Sequence, residues 1–353
     1  MKKSNLKNRS LIVILFTSLF LLVGNSQAQD NLPLINATNL MGKIAVVLNG
    51  KLDIVELKTA TQTLLELNDN WIHIDEPRWS PTEARIVFAA LYFAKPEDSY
   101  PISDIFVVND DGSGLIQLTK NMGTNSNPRW TSDGQRIMFK STQAATSEIL
   151  ISDLNGKILT KLANFEAKDW DFWSLDLSPS GDKLAFVNNR GYRVLQPDGT
   201  NFTKSSRVSV AKVDNGRVSK IVDITKGDDC GAGDFYWDTA WSPDGNYLAV
   251  SFGCAPDLGE IYLVDSANIE KLTSIYDAVK LMPEQNRNRI IDGLGWSSDG
   301  KHIVFVDSTS DDNGKTYKNL YAVGVDQGEQ NSLITITSNK DAYIQLVSPS
   351  WVQ

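Results

Sequence analysis

The sequence predicts an all-β fold: a six-bladed β-propeller with four-stranded blades. Three observations predict it. First, the stretch Trp241-Ser242-Pro243-Asp244-Gly245-Asn246-Tyr247-Leu248-Ala249-Val250 recurs with variation, starting at Trp79, Trp130, Leu177 and Trp296, with a truncated copy at Ser348-Pro349-Ser350-Trp351. Second, successive anchors stand 51, 47, 64, 55 and 55 residues apart. Short β-type units at such a period mark a propeller, where one unit is one sheet that buries its faces only against its neighbours. Third, each unit holds four strand-like runs, the number in a propeller blade.

Each element follows from local chemistry. The anchor ends a first strand. Ser-Pro-Asp-Gly is the turn, with Gly supplying positive φ and Asp a local side-chain bond. An apolar run such as Ile137-Met138-Phe139 is the second strand, and runs such as Ile105-Phe106-Val107-Val108 or Ile261-Tyr262-Leu263-Val264 are the third. A fourth closes the unit, as in Gln117-Leu118-Thr119 or Ile221-Val222-Asp223-Ile224-Thr225. The last copy stops after its first strand. The N-terminal segment offers three more, Ile44–Leu48, Leu52–Leu57 and Thr63–Leu67, so the two ends are expected to share one blade. Sharing pairs the edges that an open ring leaves exposed.

The Trp-Ser-Pro-Asp-Gly copies, with their apolar second strands and the Leu-Thr endings at Leu118-Thr119 and Leu272-Thr273, resemble the WD-repeat-like propeller repeats of TolB-like proteins. Similar repeats occur in the propeller domains of prolyl-oligopeptidase-type peptidases. The resemblance spans nearly all of the chain after the leader and implies the propeller fold. It departs from both groups: TolB-like proteins carry a separate α/β domain before the propeller, and the peptidases carry a hydrolase domain, whereas no Gly-x-Ser-x-Gly occurs here.

Residues 1–28 read as a secretory signal. Lys2, Lys3, Lys7 and Arg9 precede an apolar run, Leu11–Val23, of 13 residues, and Ser26-Gln27-Ala28 is a small-x-small cleavage site. The run is shorter than the ~20 residues of a membrane span; an uncleaved anchor is the alternative. Residues 29–42 then read as a linker and 43–353 as a single propeller domain. Export to a periplasmic or extracellular compartment, with no membrane span after cleavage, follows. The formal charge of −9 becomes more negative once the basic leader is gone, which argues against nucleic acid as a partner.

Export permits a disulfide between the two cysteines, Cys230 and Cys254, which the blade scheme places in loops on one face of one blade; two separate thiols are the alternative. The loop from Ala90 to Ser103 carries Tyr92, Phe93 and Tyr100, expected to pack back onto the blade. Asn188–Ser206 is a locally basic insertion, and Ile275–Met282 suits a short amphipathic helix.

The loops leading into the first strands are rich in Trp, Tyr and Asp. Of nine tryptophans, five are anchors and the other four lie in these loops. Trp71, Asp75, Trp170, Asp171, Trp173, Tyr236, Trp237, Asp238 and Asp292 form the candidate ligand face, since rings supply contact area and carboxylates orient donors. The alternative is that the rings cap the blade ends. Catalytic motifs are not evident: two histidines, His73 and His302, far apart in sequence, make neither a triad nor a multi-histidine metal site. The expectation is an exported, non-catalytic, monomeric propeller without cofactor that binds a protein or cell-envelope ligand through that face. The alternative is a propeller hydrolase or lyase acting on a sugar or lactone, with calcium near Asp229, Asp234, Asp238 and Asp292.

Overall fold

A computed structural model gives the fold. It describes residues 40–352 except 60, 69, 121, 144–145, 167–171, 189–193, 196–201, 204–205, 226–234, 254–258, 273, 282–288, 311–315, 327–329 and 338–345. For 166, 194–195, 202–203, 235, 237, 289, 292, 309–310, 316–318, 330–337 and 346–352 it describes the backbone alone. The expected leader, Cys230, Cys254, Trp170 and Asp171 lie outside the described residues.

The described residues form six four-stranded antiparallel sheets and one two-stranded hairpin. Blade I runs His73–Trp79, Arg85–Tyr92, Ile102–Asn109 and Ile116–Gln117 from the axis outward. Blade II follows as Thr124–Trp130, Arg136–Gln143, Thr146–Asp153 and Ile158–Glu166. Blade III is Phe172–Leu177, Lys183–Asn188, Arg207–Asp214 and Arg217–Asp223, and its insertion carries the small hairpin Val194–Leu195 with Phe202–Thr203. Blade IV is Phe235–Trp241, Tyr247–Gly253, Gly259–Asp265 and Val279–Lys280; blade V is Arg289–Trp296, His302–Ser310, Thr316–Gly324 and Gln330–Thr337. In blade VI, Leu346–Val352 pairs with Lys43–Leu48, followed by Lys51–Glu56 and Thr61–Leu64.

The core lies between blades rather than within any one of them. In blade I, Ile86 and Phe88 pack with Ala45, Val47 and Leu52 of blade VI, while Val87 and Ala89 pack with Ile137 and Phe139 of blade II. Met138 points the other way, to Leu184 and Phe186 of blade III. Alternation along each second strand therefore serves two neighbours, which is why these strands are apolar on both faces. The same rule joins blades III and IV, IV and V, and V and VI. Each fully buried Ile, Leu, Val or Phe contributes about 1.5–3 kcal/mol. Leu40, in the expected linker, also packs into the junction of blades V and VI.

The anchors are core residues: Trp79, Trp241 and Trp296 are buried. Their turns repeat one bonding scheme. Ser242 Oγ donates to Asp244 Oδ1 at 2.6 Å and accepts the Tyr247 N–H at 2.9 Å, and Ser297 does the same with Asp299 and His302. The outermost strands of blades I and VI are short and exposed, which limits edge-to-edge pairing.

Two local expectations are corrected. Ile275–Met282 is not an amphipathic helix. Only Ile275–Asp277 forms a 3-10 turn, capped by Ser274, and Val279–Lys280 then pairs with Leu263 and Tyr262 as the outer strand of blade IV. Strand pairing captured the chain. In the loop after Tyr92 the rings divide: Tyr92 packs on Phe106 and its hydroxyl donates to Asp104 at 2.5 Å, whereas Phe93 and Tyr100 are exposed.

Candidate functional site

Every inner strand carries a β-bulge. Register shifts fall between Asp75 and Arg78, Ser126 and Arg129, Trp173 and Asp176, Tyr236 and Thr239, and Asp292 and Leu294, and opposite Ala45–Val47 in blade VI. Glu76, Asn127 and Ser174 sit in these bulges at φ 53, and Gly293 at φ 66. Left-handed backbone at non-glycine residues costs of order 1–3 kcal/mol and persists only where surrounding contacts impose it. A bulge re-aims its side chain, and here the side chains cross to the next blade.

The crossings form a belt around the axis. Glu76 of blade I accepts from the backbone N–H and the side-chain amide of Asn127 in blade II. Ser174 of blade III donates to Asp238 of blade IV, and Asp238 accepts the Leu294 N–H of blade V at 2.7 Å. Asp176 Oδ2 accepts the Trp241 N–H at 2.6 Å. Arg129 Nε stands 3.6 Å from Asp176, and Arg78 Nη2 stands 4.0 Å from Asp238.

Burial sets the electrostatics. It pushes the Glu76 carboxyl up to about 7, with the neighbouring Asp75 charge adding to the effect. It pushes Asp176 up to about 6, against the pull of Arg129. Arg78 is lowered to about 10 by burial and by the Arg129 charge beside it. Burial also lowers His73.

Above this belt lies a cavity of about 410 Å³, lined by inner-strand ends and turns of blades I to V, including Arg78, Arg129, Asp176, Thr239 and Trp241. Ser80, Pro81, Ser132, Pro179, Pro243 and Ser298 form its rim, so it opens on the face of the Ser-Pro turns. That is the opposite end of the inner strands from the Trp- and Asp-rich loops. Seven residues at ~3.3 Å each separate the two ends by about 20 Å.

The residues proposed from sequence are distributed differently from a single loop face. Asp75, Trp173, Tyr236, Trp237, Asp238 and Asp292 are inner-strand residues, not loop residues. Tyr236 is buried, its ring 4.8 Å from Phe252, and is a core residue. Trp71 packs on Phe106 and Phe88 at 4.7 and 5.5 Å, and Trp173 packs against the junction of blades III and IV. These two rings cover the last apolar layer at their blade ends and are half-buried there. Asp75 Oδ1 accepts the Glu76 N–H at 2.8 Å. Among the members whose side chains are described, Asp238 is the one joined to the belt.

Sequence reasoning missed Arg78, Arg129 and Asp176. A signal existed: each directly precedes an anchor. In a strand of period two, a residue next to a core-facing anchor points the other way, toward the axis. Among the described residues no group of three His, Cys, Asp or Glu side chains converges to hold a metal ion.

TolB from Acinetobacter baumannii superposes with a TM-score of 0.60 at 18% identity, over 88% of this chain and 67% of that one. The fold is that of the TolB-like propellers. A TolB-like protein from Agrobacterium tumefaciens matches with a TM-score of 0.53 at 13% identity, over 84% of this chain and 90% of that one. A chain of a nidogen/laminin complex matches with a TM-score of 0.55 at 10% identity, over 88% of this chain and 97% of its own. At these identities the likeness is one of architecture. No protein-family model matches the sequence, and no curated protein matches it. No helix among the described residues is long and apolar enough to cross a membrane.

Proposed function

We propose that this chain is an exported, non-catalytic propeller that binds a protein or cell-envelope component at the axial mouth on its Ser-Pro turn face. The observation that carries the reading is the cavity of about 410 Å³ lined by the charged side chains Arg78, Arg129 and Asp176 of blades I to III. Buried charge is costly unless paired, and the inner strands that carry these side chains hold positive-φ residues at Glu76, Asn127 and Ser174. Neither histidine lines the cavity. The leader supports export.

Capture from an envelope extract tests which mouth binds. Wild type is compared with Ser298→Trp, on the exposed rim, and with Asp171→Lys, on the Trp- and Asp-rich face expected from sequence. Loss of the captured protein with Ser298→Trp alone supports the reading. Loss with Asp171→Lys alone moves the site to the other face.

A second reading, a hydrolase or lyase acting on a sugar or lactone, draws on one observation. Glu76 and Asp176 are held near 7 and 6, a range that suits general acid catalysis. Turnover of chromogenic glycosides or lactones that is abolished by Glu76→Gln would favour it.

A further inference from the structure

Arg129 of blade II and Asp176 of blade III stand side by side without bonding. Arg129 Nε lies 3.6 Å from Asp176 Oδ1, beyond hydrogen-bond reach. Asp176 spends its other oxygen on the Trp241 N–H, and Arg129 spends Nη1 on the Pro128 carbonyl. Arg129 Nε and Asp176 Oδ1 hold no hydrogen bond of their own. Neither is sealed from solvent, since the buried polar atoms left without a partner among the described residues belong to other side chains. Both residues line the cavity of about 410 Å³. The pair thus presents the cavity with one donor and one acceptor.

Charge selects what such a pair accepts. An anion brings its charge against Asp176. A cation meets Arg129 and, on the inner strand of blade I, Arg78. A hydroxyl suits both members at once, because it accepts from the Nε–H and donates to the carboxylate. With ordinary bonds of ~2.7–3.0 Å to each, its oxygen completes a triangle whose third side is the separation seen. The remaining wall suits a ring. In blades IV and V, Ala240 and Gly295 hold the place before the anchor that Arg78 and Arg129 hold in blades I and II, so that side of the cavity carries no long side chain there. Trp130 also lines the cavity and is half-buried. Its indole N–H is committed to the Arg78 carbonyl at 3.0 Å, which leaves the ring as apolar surface.

We propose that the cavity binds a neutral saccharide, one hydroxyl of which bridges Arg129 Nε and Asp176 Oδ1 while the carbon face of the sugar ring lies on Trp130. The inference rests on the binding reading above and names its ligand class. A sugar joins uncharged groups that donate and accept to an apolar ring face, and the cavity offers a counterpart to each.

The test is saturation-transfer NMR on the full chain, on the alkaline side of neutrality, where Asp176, raised to about 6, is ionised. The probes are the methyl glycosides of glucose, galactose, mannose and N-acetylglucosamine. Methyl glucuronoside and methyl 6-amino-6-deoxyglucoside put each charge on the same ring, and N-acetylalanine amide supplies a peptide group. At least one neutral glycoside is expected to bind saturably, with both charged analogues weaker and the peptide amide inert. Arg129→Lys keeps the charge but removes the Nε donor, and is expected to weaken glycoside binding roughly tenfold. No saturable glycoside signal, a charged analogue that binds as well as the neutral sugar, or binding of the peptide amide in its place overturns the assignment. So does unchanged glycoside binding by a folded Arg129→Lys. The probe comparisons use the wild type, so they stand even where that variant does not fold. Capture blocked by Ser298→Trp without a glycoside signal removes this inference and leaves the binding reading standing. Capture unaffected by Ser298→Trp, again without a glycoside signal, removes both.

Discussion

Asp238 Oδ2 accepts the backbone N–H of Leu294 at 2.7 Å, so a side chain of blade IV holds the inner strand of blade V. Its other oxygen takes the Thr239 N–H and the Ser174 hydroxyl, which ties in blade III. One carboxylate thus fixes three blades about the axis. Asp238→Ala strands these donors and leaves Arg78 facing an empty site. A loss of about 2–4 kcal/mol is expected, read as a lower urea midpoint at unchanged slope. A loss below about 0.5 kcal/mol would mean that the belt is not what holds the inner strands.

Stability should fall as pH rises through neutrality. Glu76 is raised to about 7, and Asp176 and Asp53 to about 6, in each case chiefly by burial. Unfolded carboxyls titrate near ~4. Between these values the folded chain retains protons that the unfolded chain has released. The contribution is therefore complete below the unfolded values and is lost as pH climbs through the folded ones. Glu76 faces Asp75, Arg129 and Arg78; Asp176 faces Arg129, Arg78 and Asp238; Asp53 faces Lys51. Urea midpoints on either side of neutrality should be higher on the acid side, and Glu76→Gln should flatten the difference. A midpoint that rises with pH contradicts the account.

Trp71 discriminates a ligand face from a packed blade end. Its ring meets Phe88 at an interplanar angle of 67° and Phe106 at 55°. Trp71→Ala should cost about 1–3 kcal/mol of stability while leaving partner capture intact. Full stability with lost capture would return this residue to a binding role.

Gly156 marks where two blades meet at backbone distance. Its φ is +80°, and a Cβ there would stand 2.2 Å from the Leu118 carbonyl oxygen of blade I. Gly156→Ala combines a left-handed backbone with a clash against main chain, and about 1–3 kcal/mol of destabilisation is expected in thermal unfolding. A neutral outcome would show that the junction of blades I and II yields easily.

The sequence by itself determined the blade count, the four-stranded units and the core role of the anchors. These depend on local periodicity: an apolar run after a Ser-Pro-Asp-Gly turn is a strand whichever way the ring is assembled. It also held the signal for Arg78, Arg129 and Asp176, each next to an anchor, because alternation along a strand sends adjacent side chains to opposite sides. Tertiary structure decided the rest. Whether Tyr236 and Trp71 meet a ligand or a neighbouring ring depends on how far each strand extends and which blade covers its end. That Glu76 and Ser174 turn across to the next blade depends on bulges imposed by packing around the axis, since neither residue favours positive φ by its own chemistry, whereas Asn127 is of a type that adopts it readily.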